Sequence, residues 1–215
     1  VKPMNEDQTC TVLDGVYKRT GKINIVSAGR TEGITLNIGF DNSEAYSAWK
    51  AKKLNSITLP SISGGTVSGL MSSINWFFTD SHEDFAIFQI VVKNDSKDGT
   101  YYPQYINRIT LDSNGEYALC YQARTETLLI NDTPTETSLP EGYGVAPFLY
   151  VHRVLDFIFS EFGYTITENP FKTDKELSSL VILNNAADCC VTGILNYADL
   201  MPDCTIEDFL NALYV

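Results

Sequence analysis

The chain has 215 residues, 44% hydrophobic and 20% charged, with a net charge of -12. That is globular composition, enough for one large domain or two small ones. The acidic balance argues against nucleic-acid binding, which needs a basic footprint, and against docking on anionic lipid.

No apolar run reaches the ~18 residues of a spanning helix, so no membrane insertion is expected. Residues 1–8 read as the entry to an excised fragment, without a signal peptide or initiator Met. Residues 205–215 read as a helix still in progress, so the natural polypeptide is expected to continue. The five cysteines, Cys10, Cys120, Cys189, Cys190 and Cys204, are irregularly spaced. They are expected to be reduced, mostly buried thiols. The neighbours Cys189 and Cys190 are expected to point apart, which disfavours a strained vicinal disulfide.

Residues 10–40 read as β. Two Val-, Ile- and Tyr-bearing runs, 10–19 and 21–28, meet at a turn on Thr20 and Gly21. After a turn at residues 31–33, Ile34, Leu36 and Ile38 alternate in a third strand. The pattern predicts a three-stranded antiparallel meander with one wet face. Residues 41–54 switch to helix, capped by Asp41 or Ser43, with lysines in the last turn. Residues 54–59 follow as a short strand. Residues 61–73, rich in Ser and Gly, read as a mobile loop or linker. Trp76, Phe77 and Phe78 form an aromatic knot.

Residues 85–92, FAIFQIVV, are apolar on both faces and predict the central strand of a sheet. Residues 94–100 read as a surface turn. They resemble a calcium loop only superficially, since Tyr105 stands where the bidentate Glu would. Strands are expected at 106–111, 117–123 and 125–130, with a turn at 112–115. Residues 131–144 combine Pro, Gly, Thr and acids without apolar period, and mark a boundary.

Beyond it, residues 146–162 form the strongest helix pattern. Phe148, Val151, Leu155, Ile158 and Phe162 recur at three- and four-residue steps on one face. His152, Arg153, Asp156 and Ser160 face the other way. Pro147 suits the first turn and Gly163 the left-handed cap. A short strand at 164–167, a turn at Asn169 and Pro170, a helical turn at 174–180 and a strand at 180–183 follow. Residues 184–196 are ambiguous. Residues 205–213 form a helix with a capping box from Thr205 to Asp208.

The architecture expected is α+β. A mostly antiparallel, barrel-like β domain spans 1–140, with one helix at about 41–54. A smaller α/β portion spans 145–215, led by helix 146–162 and truncated at its C-terminal end.

No catalytic motif stands out. His152 and Asp156 could orient an imidazole, but at four-residue spacing they read as a solvent-exposed helix pair. His82 reads as a surface-loop histidine. Neither CxxC nor HExxH occurs, and no Gly-rich phosphate loop is present. Glu83–Asp84 and Glu207–Asp208 are adjacent, so they diverge and read as loop or cap charges. The residues thus assign no catalytic, cofactor or metal site, and the expectation is that the chain is not an enzyme. Tyr101, Tyr102, Tyr105 and Tyr143 read first as core or interface, and second as a sugar- or protein-contact surface.

Two groups of residues resemble tail proteins from prophages of Bacteroides-like bacteria. One is residues 10–54, CTVLDGVYKRTGKINIVSAGRTEGITLNIGFDNSEAYSAWKAKKL. The other is PFLYVHRVLDFIFSEFGY, then LVILNNAAD and YADLMPDCTIEDFLNAL. The second half resembles the baseplate hubs of contractile-tailed phages such as Mu. The resemblance implies a non-enzymatic structural subunit of the virion tail, assembled in the bacterial cytoplasm. It implies other tail and baseplate proteins as partners, a homo-oligomer that is a trimer at full length, and no direct nucleic-acid binding. An acidic channel wall would let DNA slide past. The alternative is a surface or periplasmic carbohydrate- or protein-binding module of such a bacterium.

Overall fold

A computed structural model of the chain describes residues 8–14, 17–29, 33–40, 49–74, 82–92, 104–130 and 133–213. These fall into two compact units, Val1–Lys52 with Thr205–Val215, and Lys53–Cys204. The boundary read at 131–144 lies inside the second unit.

The first unit holds the expected antiparallel meander, β1 (Gln8–Asp14), β2 (Tyr17–Gly29) and β3 (Gly33–Phe40). The turn expected at Thr20 and Gly21 is not there. Asp14 pairs with Tyr17, and β2 runs unbroken through Thr20 and Gly21. A register shift between Ile25 and Ser27 bends β2 where it meets β3. Of the helix expected at 41–54, residues 49–51 are helical and 41–48 lie outside the described residues.

The second unit opens with a 3-10 turn at Leu54–Ser56, where a strand was expected. The Ser/Gly stretch after it is ordered, not a linker. It forms β4 (Ser61–Ser63) and α1 (Val67–Ile74). Thr66 caps α1, its Oγ1 accepting the Gly69 N–H at 3.0 Å. Gly64 and Gly69 let the two elements touch. A Cβ on Gly64 would sit 1.9 Å from the Leu70 backbone nitrogen. The small residues here buy close approach, which composition alone does not distinguish from flexibility.

The apolar run at 85–92 is not one central strand. It splits into β5 (Phe85–Ala86) and β6 (Ile90–Val91), which serve different partners. β6 pairs with β7 (Tyr105–Ile106). Between β5 and β6, Gln89 Oε1 accepts the Ile109 N–H in place of a ladder bond. Asn107, at φ 54°, then separates β7 from β8 (Ile109–Leu111). β8 turns at Asp112 into β9 (Tyr117–Leu119), with Asp112 Oδ1 accepting the N–H groups of Asn114 and Glu116. β10 (Arg124–Ile130) pairs over its full length with β11 (Thr133–Leu139). Half of the stretch read as a boundary is therefore strand. Glu126 lies against both Arg124 (2.6 Å) and Arg108 (2.9 Å), tying this ribbon to the chain beside β8.

β12 (Phe148–Leu149) pairs with β5. This pairing delays the main helix, α2, which spans Val151–Glu161 rather than starting at 146. Ala146 has its N–H and C=O held by the Asn107 side chain, so its carbonyl is not free to accept a helical bond. Phe148 belongs to β12. The helix ends as expected. Gly163 adopts φ 75°, its N–H bonds the Ser160 carbonyl, and the Tyr164 N–H bonds Phe159. That is a Schellman closure. No strand follows at 164–167. α3 (Pro170–Thr173) starts on Pro170, and the side chain of Asp174 caps a 3-10 turn at Leu177–Ser179. The strand expected at 180–183 is one bridge, Tyr150 with Val181. β13 (Ile194–Asn196) pairs with β4, so strands on either side of 131–144 share sheets.

α4 (Ile206–Leu213), in the first unit, has the expected capping box. Thr205 Oγ1 accepts the Asp208 N–H at 3.1 Å, and Asp208 Oδ2 accepts the Thr205 N–H at 3.3 Å. Helices with antiparallel strands in small sheets make the chain α+β. The barrel-like closure expected of residues 1–140 is not seen among the described residues. Every sheet there has two or three strands and open edges. The core of the second unit is apolar, with Leu54, Leu70, Ile74, Phe85, Ile106, Phe148, Leu149, Ile158, Leu195 and Leu200 all buried.

Candidate functional site

Three separate segments of the second unit meet around one open cleft of about 340 Å³. Its wall carries His82 and Glu83 from the loop before β5, and Tyr150, His152 and Arg153 from the start of α2. Lys172 of α3 and Ser178 of the following 3-10 turn complete it. Each segment is placed by backbone bonds. The Tyr150 N–H bonds the Asp84 carbonyl at 2.9 Å, which sets α2 against the His82 loop. The Val151 N–H bonds the Leu180 carbonyl at 3.0 Å, which sets the 3-10 turn beside both.

Behind the wall lies a buried charged cluster. Arg153 Nε donates to Asp84 Oδ1, and its Nη1 donates to Asp156 Oδ2 at 3.2 Å. Tyr197 donates its hydroxyl to the other Asp84 oxygen at 2.9 Å. Asp84 is 8% exposed and Tyr197 1%. A carboxylate this buried is tolerable because both oxygens have strong donors. Burial would lower the pKa of Arg153, but the hydrogen bond to Asp84 and the charges of Asp84 and Asp156 raise it further. Burial pushes the Tyr197 phenol well up, and the bond to Asp84 adds to that. Tyr197 also meets Phe85 and Phe157 edge-on.

The two histidines, read from sequence as surface residues, are both half-buried here. His82 stacks on Phe85 with centroids 3.9 Å apart, and its Nδ1 accepts the Asp84 N–H at 3.1 Å. His152 stacks on Tyr150 at 5.2 Å. Its expected partner Asp156 instead takes Arg153, and His152 Nδ1 is buried without a hydrogen-bond partner among the described residues. Burial lowers the pKa of both rings, against the nearby acids that would raise it. Asp84 does sit in the loop before β5, but it is buried and paired rather than solvated. It was missed because its partners lie 69 and 113 residues away, beyond any local spacing.

The other candidates resolve differently. Cys189 and Cys190 do not point apart. Their sulfurs lie 3.7 Å from each other, both free, and Cys189 also reaches the Val145 carbonyl. The contact with Cys190 and burial hold the Cys189 thiol far above its ordinary pKa, so it stays protonated. Tyr105 and Tyr143 are half-buried. Tyr101, Tyr102, the aromatic knot at 76–78 and the loop at 94–100 lie outside the described residues. Among the described residues no group of three His, Cys, Asp or Glu could hold a metal, and no helix is long and apolar enough to cross a membrane. Comparison of the chain with family models, curated proteins and solved structures gave no match.

Proposed function

We propose that the chain is a structural subunit of a phage tail or tail-like apparatus. It acts as a baseplate-hub or tube-continuing protein, by ring assembly with copies of itself and with other tail proteins. The role is non-enzymatic and belongs to the virion, after assembly in the bacterial cytoplasm. The sequence resemblance motivates this reading.

One observation carries it furthest. The cross-strand pair Leu111 and Tyr117 stands 62% and 67% exposed on the two-stranded β8–β9 hairpin, and Val91 is 68% exposed on β6. Two-stranded ribbons are marginal alone, and their open edges are templates for another chain. Large apolar side chains paired on such an edge favour burial against a partner. The rival reading, a surface or periplasmic binding module, leaned on the tyrosines around Tyr101 to Tyr105, of which Tyr105 is described and is half-buried.

Light scattering on the eluting protein tests it. The protein is expected to run as a homo-oligomer, a trimer on the resemblance. Leu111→Glu with Tyr117→Glu is expected to shift it at least about tenfold toward monomer, the equivalent of ~1.4 kcal/mol. A chain that stays monomeric at high concentration overturns the reading.

A further inference from the structure

Both histidines of a chain that has only two line the same cleft. Its wall is rich in donors although the chain carries a net charge of -12. The Lys172 ammonium has no ion pair among the described residues. Arg153 turns Nε and Nη1 inward to Asp84 and Asp156 and lies over the Phe157 ring at 5.4 Å, and its Nη2 has no hydrogen-bond partner among the described residues. His152 adds a third donor. Its Nδ1 is buried without a partner among the described residues, so a charged ring would leave an N–H stranded there. This favours the neutral ring with its proton on Nε2, a tautomer assigned from the hydrogen-bond pattern. The cleft also meets the first turn of α2, which carries no acidic residue and adds positive potential.

We infer that this cleft binds a compact oxyanion, a phosphate or carboxylate group, with Lys172 supplying charge and Arg153 Nη2 and His152 supplying N–H donors. Ser178 serves as wall, since its hydroxyl donates to the Lys175 carbonyl at 3.2 Å. Exposed Glu83 in the same lining opposes any anion there, so binding rests on Lys172, Arg153 and His152 outweighing it. A divalent metal is the poorer fit, because no three ligands converge among the described residues. This inference goes beyond the assembly reading and stands without it.

The two histidines make the test direct, because their ring NMR signals report on this cleft and on nothing else. The whole chain is titrated at fixed pH with inorganic phosphate, with acetate, and with sodium chloride at matched ionic strength. Phosphate is expected to shift the His152 signal saturably, with a Kd on the order of 1–10 mM, as befits a few charge-assisted bonds. Lys172→Ala is expected to weaken this about fivefold to tenfold, and Lys172→Arg to restore most of it. Lys172 is exposed, so the variants should fold. Saturation by phosphate alone identifies a phosphate ligand, and equal saturation by acetate identifies a carboxylate. Shifts that merely follow ionic strength, as chloride's do, overturn the inference. So does an affinity unchanged in Lys172→Ala.

Discussion

Asn107 and Asp84 are both buried polar residues of the second unit, but they are satisfied in opposite ways. Asn107 is neutral and closes on backbone alone. Its Oδ1 takes the Ala146 N–H at 2.8 Å, and its Nδ2 serves the carbonyls of Ala146 (2.8 Å) and Phe88 (3.2 Å). It stands in for a missing strand, and its bonds to Ala146 are buried while the one to Phe88 is part-buried. Asp84 is charged and closes on side chains, Arg153 and Tyr197. Through Arg153 its cluster runs out to Asp156 and to the cleft. A neutral group matched to backbone fixes geometry and has nothing left to offer. Here the buried charge is made tolerable by a neutral donor and by a counter-charge, and through that counter-charge the compensation reaches the cleft. Chemistry available to a ligand is found at that end.

Cutting the charged cluster should produce the largest effect. Asp84→Ala leaves Arg153 without its main partner and strands the Tyr197 hydroxyl, and is expected to cost about 3–5 kcal/mol. Tyr197→Phe keeps the ring contacts and leaves Asp84 bonded to Arg153, so about 1–2 kcal/mol is expected. Asp84→Leu combined with Arg153→Met should lose less than the two single changes summed, because no charge is left uncompensated. Urea midpoints measure all three. An Asp84→Ala loss below about 1 kcal/mol would mean that the cluster does not hold the helix to the loop.

The neutral cluster should respond more mildly and more locally. Asn107→Ala removes three hydrogen bonds and puts an alanine at φ 54°, for an expected loss of about 2–4 kcal/mol. Asn107→Gly loses the same bonds but relieves the backbone, and should recover about 1 kcal/mol. If alanine and glycine prove equal, the left-handed backbone contributes nothing and the bonds carry the whole effect. Neither variant should alter phosphate binding in the cleft, whereas Arg153→Met should.

Local signals in the sequence were legible, and long-range ones were not. The Thr205 capping box, the Gly163 cap, the Asp112 turn and the apolar face of α2 each depend on residues within five positions. Periodicity and capping chemistry report such features directly. The start of α2 misled because Phe148 fits the helical period but is claimed by β5, more than sixty residues earlier. The run at 85–92 misled for the same reason, since two distant partners split it. Residues 61–74 misled because glycine permits close packing as well as freedom. The cleft itself joins residues 82, 153 and 172, and no spacing rule links these.

The smallest effect concerns pH, and it separates the two clusters most cleanly. His82 and His152 both have folded-state pKa values below the ordinary 6.5, first because of burial. For His82, Asp84 and Glu83 oppose the shift and Arg153 aids it. For His152, Asp156 and Asp84 oppose it, while Arg153 and Lys172 aid it. Below pH 6.5 the unfolded chain therefore binds more protons than the folded one. Stability from these rings is fully present above about pH 6.5 and falls as the pH drops toward the folded values. Denaturant midpoints measured between about pH 7 and 5 should fall slightly on acidification. The slope should vanish in the double variant His82→Gln, His152→Gln and persist in Asn107→Gly. A midpoint that rises on acidification would place net acid stabilisation at the rings. It would also mean that Asp84 and Asp156 outweigh burial there, reversing the contrast between a closed neutral cluster and one that opens onto a donor-lined cleft.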